Sequence, residues 1–443
     1  MEPTLDPSPQ PIVSIWQRYA TTWKGLVIFG VMLVLLIPAA MIEDLIRERE
    51  MRRDQAITEV SSKWGGNQTL SGPVLVVPYE TATLNEMGKE LLRKRSYAYF
   101  LPENVRVNAQ ATPEKRYRGI FEVVLYNSQI AVEGNFARPD MQQLLPAGAT
   151  VLWEKSVLTL GIPDLRGLND QVAVEWGSQA HTMEPGIPVP GVAESGIHLP
   201  LDLTNPSGQP YAFRMQISLK GSGSLFFTPV GRVTDVALSA PWGDPSFTGA
   251  FLPDEKNVTH DAFEAKWKVL NLNRNYPQQW TSDQEVQFSG SAFGVNFLLP
   301  VDNYQKATRS VKYAILFISL TFLTIFFIEM RQAQRRVHPF QYMLIGLALV
   351  IFYTLLVSLS EHLSYNTAYF IAAAMTIGLS TYYARSLFDS NALAMLVGGT
   401  LTVLYGFLFV VLQQQDYALL IGSFGLFFIL AAVMYVSKKI NWE

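Results

Sequence analysis

Six apolar runs constrain this chain before anything else does. The first, GLVIFGVMLVLLIPAAMI at 25–42, carries no charge. Five more lie towards the C-terminus, at 313–330, 342–359, 368–384, 392–412 and 417–436. Runs of about 17–25 apolar residues, wound as helices, reach across the hydrocarbon core of a bilayer. Backbone groups in lipid must find partners within their own segment, so each run is expected to be a helix. A cleaved signal peptide is the competing reading of the first run, since Lys24 precedes it and Ala39-Ala40 end it. The adjoining segment, EDLIREREMRRDQAITEV, keeps apolar residues at helical spacing and offers Glu43–Arg47 and Glu48–Arg52 as i,i+4 pairs. That continuity favours an uncleaved anchor running into a charged stalk, whose charges are read as a solvated face.

Between the first and second runs the texture is different. Over 60–305, stretches such as GPVLVVPY, FEVVLYNSQIAVEGNF and YAFRMQISL are rich in Val, Ile, Tyr and Phe and are punctuated by Gly, Pro and Asn. Several alternate with period two, the mark of half-buried strands. Helical periodicity is confined to Arg138–Leu145. The expectation is antiparallel, sandwich-like β structure. A duplication is also suggested: FLPENV, RGIF, EGNF and GIPDLRG run parallel to FTPVGRV, TGAF, DAFEAKW and LLPVDNY. The fold class expected is therefore an integral membrane α+β protein. A tail at 1–22 and a helix at 23–42 precede an amphipathic stalk at 43–60. A β-rich domain at 61–308, with repeats about 72–175 and 212–305, leads to a bundle of five membrane helices and a tail at 437–443.

Orientation is set by the loops. Arg331, Arg335 and Arg336 come after the second run, Arg385 after the fourth, and Lys438 and Lys439 lie in the tail, whereas LSEHLSYNT and QQQD hold no Lys or Arg. Basic loops stay in the cytoplasm. Both termini are thus expected inside and residues 43–312 in the periplasm. The Arg47–Arg53 and Lys306–Lys312 clusters run against this bias, but long translocated domains largely escape it.

Chemistry is scarce. The net charge of −3 gives no basic field for nucleic acid. With no cysteine there are no disulfides, thiolate nucleophiles or Cys-based metal sites. No Gly-x-Ser-x-Gly elbow, phosphate-binding Gly-rich loop or HExxH pair occurs, and the five histidines, at 181, 198, 260, 338 and 362, show no ligand spacing. No enzyme activity and no cofactor are expected. Polar residues at membrane depth are functional candidates by default. Glu361 and His362 end the third run and Asp416 precedes the sixth, so all three are expected at the outer interface. There they would either cluster to bind a cation or relay protons, or simply face headgroup water. Glu329, near Arg331 at the cytoplasmic end of the second run, is read as an interfacial ion pair.

Several long strings carry a family resemblance. They are APWGDPSFTGAFLP at 240–253, RNYPQQW at 274–280, FGVNFLLPVDNYQKATRSVKYAILFISLTFLTIFFIE at 293–329, VHPFQYMLIGLALVIFYTLLVSLSEH at 337–362 and DYALLIGSFGLFFILAAVMYVSKKINW at 416–442. Together they resemble the bacterial inner-membrane CreD family, associated with cell-envelope integrity. The resemblance covers nearly the whole chain from the first run; the Pro-rich N-terminal extension lies outside it. It implies an inner membrane, a periplasmic domain and expression tied to a two-component envelope or metabolic response, and it carries over no catalytic residue. The expected function is envelope maintenance or an envelope stress response. Its partners would be the lipid bilayer and a periplasmic or membrane protein, a lipid or a glycan. Two other classes compete: a transporter or lipid-handling protein using Glu361, His362 and Asp416, and an envelope hydrolase, which would need paired carboxylates in a pocket. Oligomeric state is left open.

Overall fold

The computed structural model describes residues 20–84, 90–142, 144–146, 148–204, 210–297, 303–332, 336–414 and 417–438. The chain divides into two compact units: 53–300, which is β-rich, and 1–52 with 301–443, which is helical.

In chain order the β unit contains β1 (Gln68–Leu84), β2 (Glu90–Phe100), β3 (Asn104–Arg118), β4 (Phe121–Phe136), β5 (Thr150–Val151), β6 (Ser156–Gly161), β7 (Ala173–Trp176), β8 (Gln179–Thr182) and β9 (Glu184–Pro185). The series continues with β10 (Gly196–Leu201), β11 (Tyr211–Ser222), β12 (Ser224–Phe227), β13 (Val233–Ala240), β14 (Pro245–Gly249), β15 (Glu255–Val258), β16 (Phe263–Leu270), β17 (Gln279–Thr281) and β18 (Phe293–Phe297). They form two sheets. One has the order β14-β18-β12-β1-β6-β10-β9, with β2 and β5 also paired to β1 and β17 paired to β2. The other has the order β15-β16-β13-β3-β4-β11-β7-β8.

One apolar core joins them. It takes Val76, Leu158 and Phe293 from the first sheet and Val107, Met215 and Trp267 from the second. Aromatic rings bridge the two faces: Phe293 meets Trp267 at 5.5 Å and Tyr126 meets Phe297 at 5.1 Å. The sheets differ in how they are covered. All six residues of β6 are buried, so the centre of the first sheet is enclosed on both faces. In the second, β3, β11 and β16 alternate buried and exposed positions, so one face is polar and bare.

Both sheets are mixed rather than purely antiparallel. β1 runs parallel to β12, and β3 runs parallel to β13. Alternation reports which face a residue takes but not the direction of the neighbouring strand, so the sequence did not carry this. The β3–β13 pair follows from two sheet-crossing corners. At FLPENV the chain leaves β2 in the first sheet and enters β3 in the second; at FTPVGRV it leaves β12 and enters β13. These corners lie side by side. Arg232 and Val233 donate their backbone N–H groups to Pro102 and Glu103, and Arg232 pairs with Glu103 at 2.6 Å. After them the segments part: β4 stays in the second sheet, whereas β14 joins the first. Arg138–Leu145 forms no helix among its described residues, only a turn in which Leu144 and Leu145 donate to the Met141 carbonyl. Pro139 and Pro146 bracket the segment and limit helix growth.

The helical unit starts with α1 (Ala20–Trp64), a 45-residue helix that continues into the β unit. Along its first half Ile28, Leu35, Ala39, Ile42 and Ile46 form one buried stripe. Residues 303–312, read from the sequence as the end of the β domain and a basic tether, form α2 (Asn303–Lys312), which belongs to the helical unit and buries Tyr304, Ala307, Ser310 and Val311. Then come α3 (Ala314–Arg331), α4 (Pro339–Ser360), α5 (Tyr365–Phe388), α6 (Asn391–Gln413) and α7 (Ala418–Ser437). Leu35 of α1 and Phe322 of α3 close on Gly346 of α4 so tightly that a Cβ there would lie 2.9 Å from the Phe322 ring.

Five described helices are long and apolar enough to cross a membrane: Thr22–Trp64, Ala314–Arg331, Pro339–Ser360, Asn391–Gln413 and Leu420–Ser437. Only four of them are C-terminal, where five were expected; α5 is the one that falls short. The reason lies in its inner face, where Ala368, Ala372, Ala373, Thr376, Ser380 and Ala384 are buried. Small and hydroxyl side chains allow close helix packing; the hydroxyl residues, with Tyr365, Tyr369, Tyr382 and Tyr383, lower the mean hydropathy.

Candidate functional site

The bare face of the eight-stranded sheet carries an ordered charge pattern. Lys268, Asp235, Arg106, Glu133, Arg214 and Glu175 stand opposite one another on six adjacent strands, alternating in sign. Glu133 accepts from Arg106 at 3.3 Å with one oxygen and from Arg214 at 3.4 Å with the other. Such exposed cross-strand pairs contribute roughly 0.2–1 kcal/mol each. In the adjoining row Ala212 and Gly177 project almost nothing, while Asn104 donates to Asn135 at 3.2 Å. The result is an open groove of about 620 Å³ along the ladder, floored by small residues and walled by carboxylates, guanidiniums and amides. It suits a polar, hydrogen-bonding ligand.

RNYPQQW has a structural role. Arg274 is buried, at 8% exposure, and stacks over the Tyr276 ring at 4.4 Å. Its guanidinium donates to the carbonyls of Tyr276, Pro277 and Val230 and to Gln278 Oε1. Gln278 in turn donates to Pro102, and the Tyr276 hydroxyl donates to Pro229. One loop thus laces both sheet-crossing corners together. Burial lowers the Arg274 pKa from its ordinary value, and carbonyl oxygens rather than a carboxylate satisfy the charge. Among the described residues its Nε has no partner.

Where the chain enters the β unit, Asp164 accepts from the Gly66 N–H at 2.9 Å and from Arg166 at 2.8 Å. The Arg166 bond leads in holding the Asp164 carboxyl below its usual pKa. Arg118 and Glu59, and the cation–π contact of Lys220 with Trp64 at 4.8 Å, fasten the last turns of α1 to the same unit.

In the helical unit, the residues singled out from the sequence fall at two places. Glu329, 9% exposed, pairs with Lys24. It also accepts from the Tyr342 hydroxyl at 3.1 Å and the Val337 N–H at 3.0 Å. Arg331, the expected partner, forms no ion pair with it among the described residues. Two positions apart on a helix, side chains point to different sides, so that pairing was geometrically poor. Glu361, 10% exposed, accepts from Tyr304 at 3.0 Å and lies 3.7 Å from Arg49. His362 is exposed beside it, with its backbone N–H on the Leu359 carbonyl. Asp416 lies outside the described residues, as do Arg335 and Lys439. Glu361 is thus bonded within the protein, to Tyr304 and Arg49. Among the described residues no group of His, Asp and Glu could hold a metal ion.

Reading the sequence missed Lys24, Tyr342, Arg49 and the groove. For Lys24 a signal was present: it and Glu329 had both been assigned to the cytoplasmic edge of a membrane helix. For the groove there was none, because the ladder exists only once strand register is known.

The sequence matches known proteins over most of its length. A family profile described as "Inner membrane protein CreD" matches residues 20–443. A protein of Escherichia coli (strain K12) described as "Inner membrane protein CreD" is 33% identical over 425 residues, covering 95% of this chain and 93% of that protein. The resemblance carried by RNYPQQW and the membrane strings thus extends over nearly all of the sequence, and the chain belongs to the CreD family of inner membrane proteins.

Proposed function

We propose that this is a non-enzymatic envelope-maintenance protein, whose β unit lies in the periplasm and holds a polar partner, a protein segment or a glycan, in the charge-laddered groove. The observation that carries this reading is the bare sheet face. Eight strands expose a polar surface with an open groove, while the centre of the other sheet is enclosed. In this reading the protein serves envelope integrity or an envelope stress response, and the helical unit anchors it. Replacing Arg106 and Arg214 by Ala removes both cationic steps beside Glu133 without touching the core. The expected outcome is lost envelope function, scored as sensitivity of cells to detergent, at unchanged protein level. Full function in that double variant would rule out the groove.

The topology we propose has six spans with both termini in the cytoplasm. It requires α5 to cross the membrane. Its outer face supports this: Phe370, Ile371, Met375, Leu379 and Tyr382 are exposed along a helix whose small and hydroxyl residues are inside. An apolar outer face around a more polar inner face suits a lipid-exposed helix of a bundle. Because the chain has no cysteine, single cysteines report location cleanly. Leu363→Cys should react in intact cells with a thiol reagent that cannot cross the inner membrane, and Ser390→Cys should not. Equal labelling of both would remove α5 from the set of spans.

A hydrolase remains a second reading because Glu133, Glu175 and Asp235 share the groove. Alternate strands place neighbouring carboxylates of the ladder roughly 10 Å apart. Against it, both oxygens of Glu133 are committed to guanidiniums. Glu175→Gln and Asp235→Asn should each retain envelope function if the groove only binds; loss in either with binding intact would favour hydrolysis.

A further inference from the structure

A second pocket, of about 330 Å³, lies in the helical unit between the start of α1 and the start of α4. Trp23, Lys24 and Val27 form one wall, and Arg336, Val337, His338 and Pro339 form the other. Both walls sit where the chain enters an apolar run: Lys24 directly precedes 25–42, and Pro339 opens α4. The pocket is therefore at the depth of the headgroups on the basic side of the bundle. Trp23, half exposed, is the residue type that settles at such an interface.

Charge in the pocket is unbalanced. Lys24 is matched by Glu329, which is also satisfied by Tyr342 and Val337. Arg336 is exposed and forms no ion pair among the described residues. Nδ1 of His338 accepts the Phe340 N–H, so Nε2 carries the proton and is a donor. Val27, Val337 and Pro339 supply an apolar floor below these donors. A cationic rim over an apolar floor complements an amphiphile with an anionic head, and basic pockets between membrane helices bind such headgroups.

We infer that this pocket binds the phosphodiester headgroup of an anionic phospholipid, with Arg336 as the principal charge and Trp23, Val27 and Pro339 against the glycerol and upper acyl chain. The site is separate from the groove of the β unit and does not depend on what that groove holds.

The test uses the full-length protein in mixed micelles containing equal amounts of phosphatidylglycerol and phosphatidylcholine, with bound lipid counted by native mass spectrometry. The wild type should retain phosphatidylglycerol in preference. Arg336→Gln should weaken that retention about fivefold, the worth of one near-surface cation. Val27→Trp, which fills the pocket and leaves every charge in place, should weaken it at least as much. Arg385→Gln, at a basic residue in the last turn of α5 and outside the pocket, should not change it. Arg336 is exposed, so its substitution removes no buried contact, and unchanged elution on size exclusion confirms that the variant is folded. Equal retention by wild type and Arg336→Gln, or equal retention of the two lipids by the wild type, overturns the proposal. Displacement of the lipid by millimolar inorganic phosphate overturns it as well, by making the pocket a site for the free anion.

Discussion

Two carboxylates fasten α1 to the rest of the helical unit, and they do so differently. Glu329 takes Lys24 from the start of the apolar half of α1, and Glu361 faces Arg49 beyond its end. At 1.5 Å per residue, Lys24 and Arg49 are about 37 Å apart along the helix, and Tyr342 and Glu361 about 28 Å apart on α4. That is the scale of a hydrocarbon core of about 30 Å with its interfaces. The two clamps are therefore spaced as the two edges of a membrane layer would be in the topology proposed above. The Lys24 clamp is dense, with three donors on one buried carboxylate. The Arg49 clamp is loose: the ion pair is 3.7 Å long, Arg49 is 38% exposed, and among the described residues Tyr304 alone donates to Glu361 at short range. Equal burial of two carboxylates does not imply equal coupling. What differs is how many donors converge and how dry their sources are.

The largest effect is expected at the dense clamp. Glu329→Ala leaves Lys24, Tyr342 and the Val337 N–H without their acceptor. Breaking a buried pair from one side costs roughly 3–5 kcal/mol. Lys24, at 22% exposure, can swing towards water, so the lower end is expected. The thermal midpoint of the purified protein in detergent should fall by several degrees. A Lys24→Met, Glu329→Leu double variant removes both charges and should recover most of that loss, because a matched apolar pair leaves no orphaned charge. A double variant no better than Glu329→Ala would mean that the pair is not coupled as described.

An intermediate effect is expected at the loose clamp. Glu361→Ala should cost about 1 kcal/mol, chiefly the Tyr304 hydrogen bond. Glu361→Gln, which can still accept from Tyr304, should lose less. Arg49→Ala should cost at most about 0.5 kcal/mol, as a long, part-exposed pair. If Arg49→Ala matched Glu329→Ala in the same melting assay, the contrast between the two ends would collapse.

Much of this was legible in the sequence, for reasons that differ by region. The apolar runs announce the helices because lipid imposes one rule along their whole length. Period-two alternation in stretches such as YAFRMQISL, which forms most of β11, announces half-buried strands. It could not announce the groove, since aligning Arg106, Glu133 and Arg214 requires the register of three strands, and a one-residue slip moves every side chain to the other face. Glu329 was recognised but given a neighbour in sequence as its partner, when its partner lies 305 positions away. Glu361 was recognised, but its tie to Tyr304 depends on α2, which the sequence reading had assigned to a tether. The pattern at α5 is the converse case: a helix is present, while its Ser, Thr and Tyr residues dilute the apolar signal.

The smallest effect sets the baseline for the clamps. Arg47 donates to Glu43 at 2.7 Å on the charged part of α1, with Arg47 62% exposed. Its distance is shorter than that of Arg49 to Glu361, so a reading by distance alone would rank it higher. Exposure says otherwise: an i,i+4 pair in water contributes only about 0.3–0.5 kcal/mol. Arg47→Ala should therefore shift the melting midpoint by little more than the error of measurement. Salt separates the classes further. At 1 M ionic strength the screening length falls to about 3 Å, which removes most of an exposed pair and little of a buried one. The destabilisation caused by Arg47→Ala should vanish in 1 M salt, that of Arg49→Ala should shrink, and that of Glu329→Ala should persist. A Glu329→Ala penalty that disappeared with salt would show that water reaches this clamp and that its three donors do not shield it.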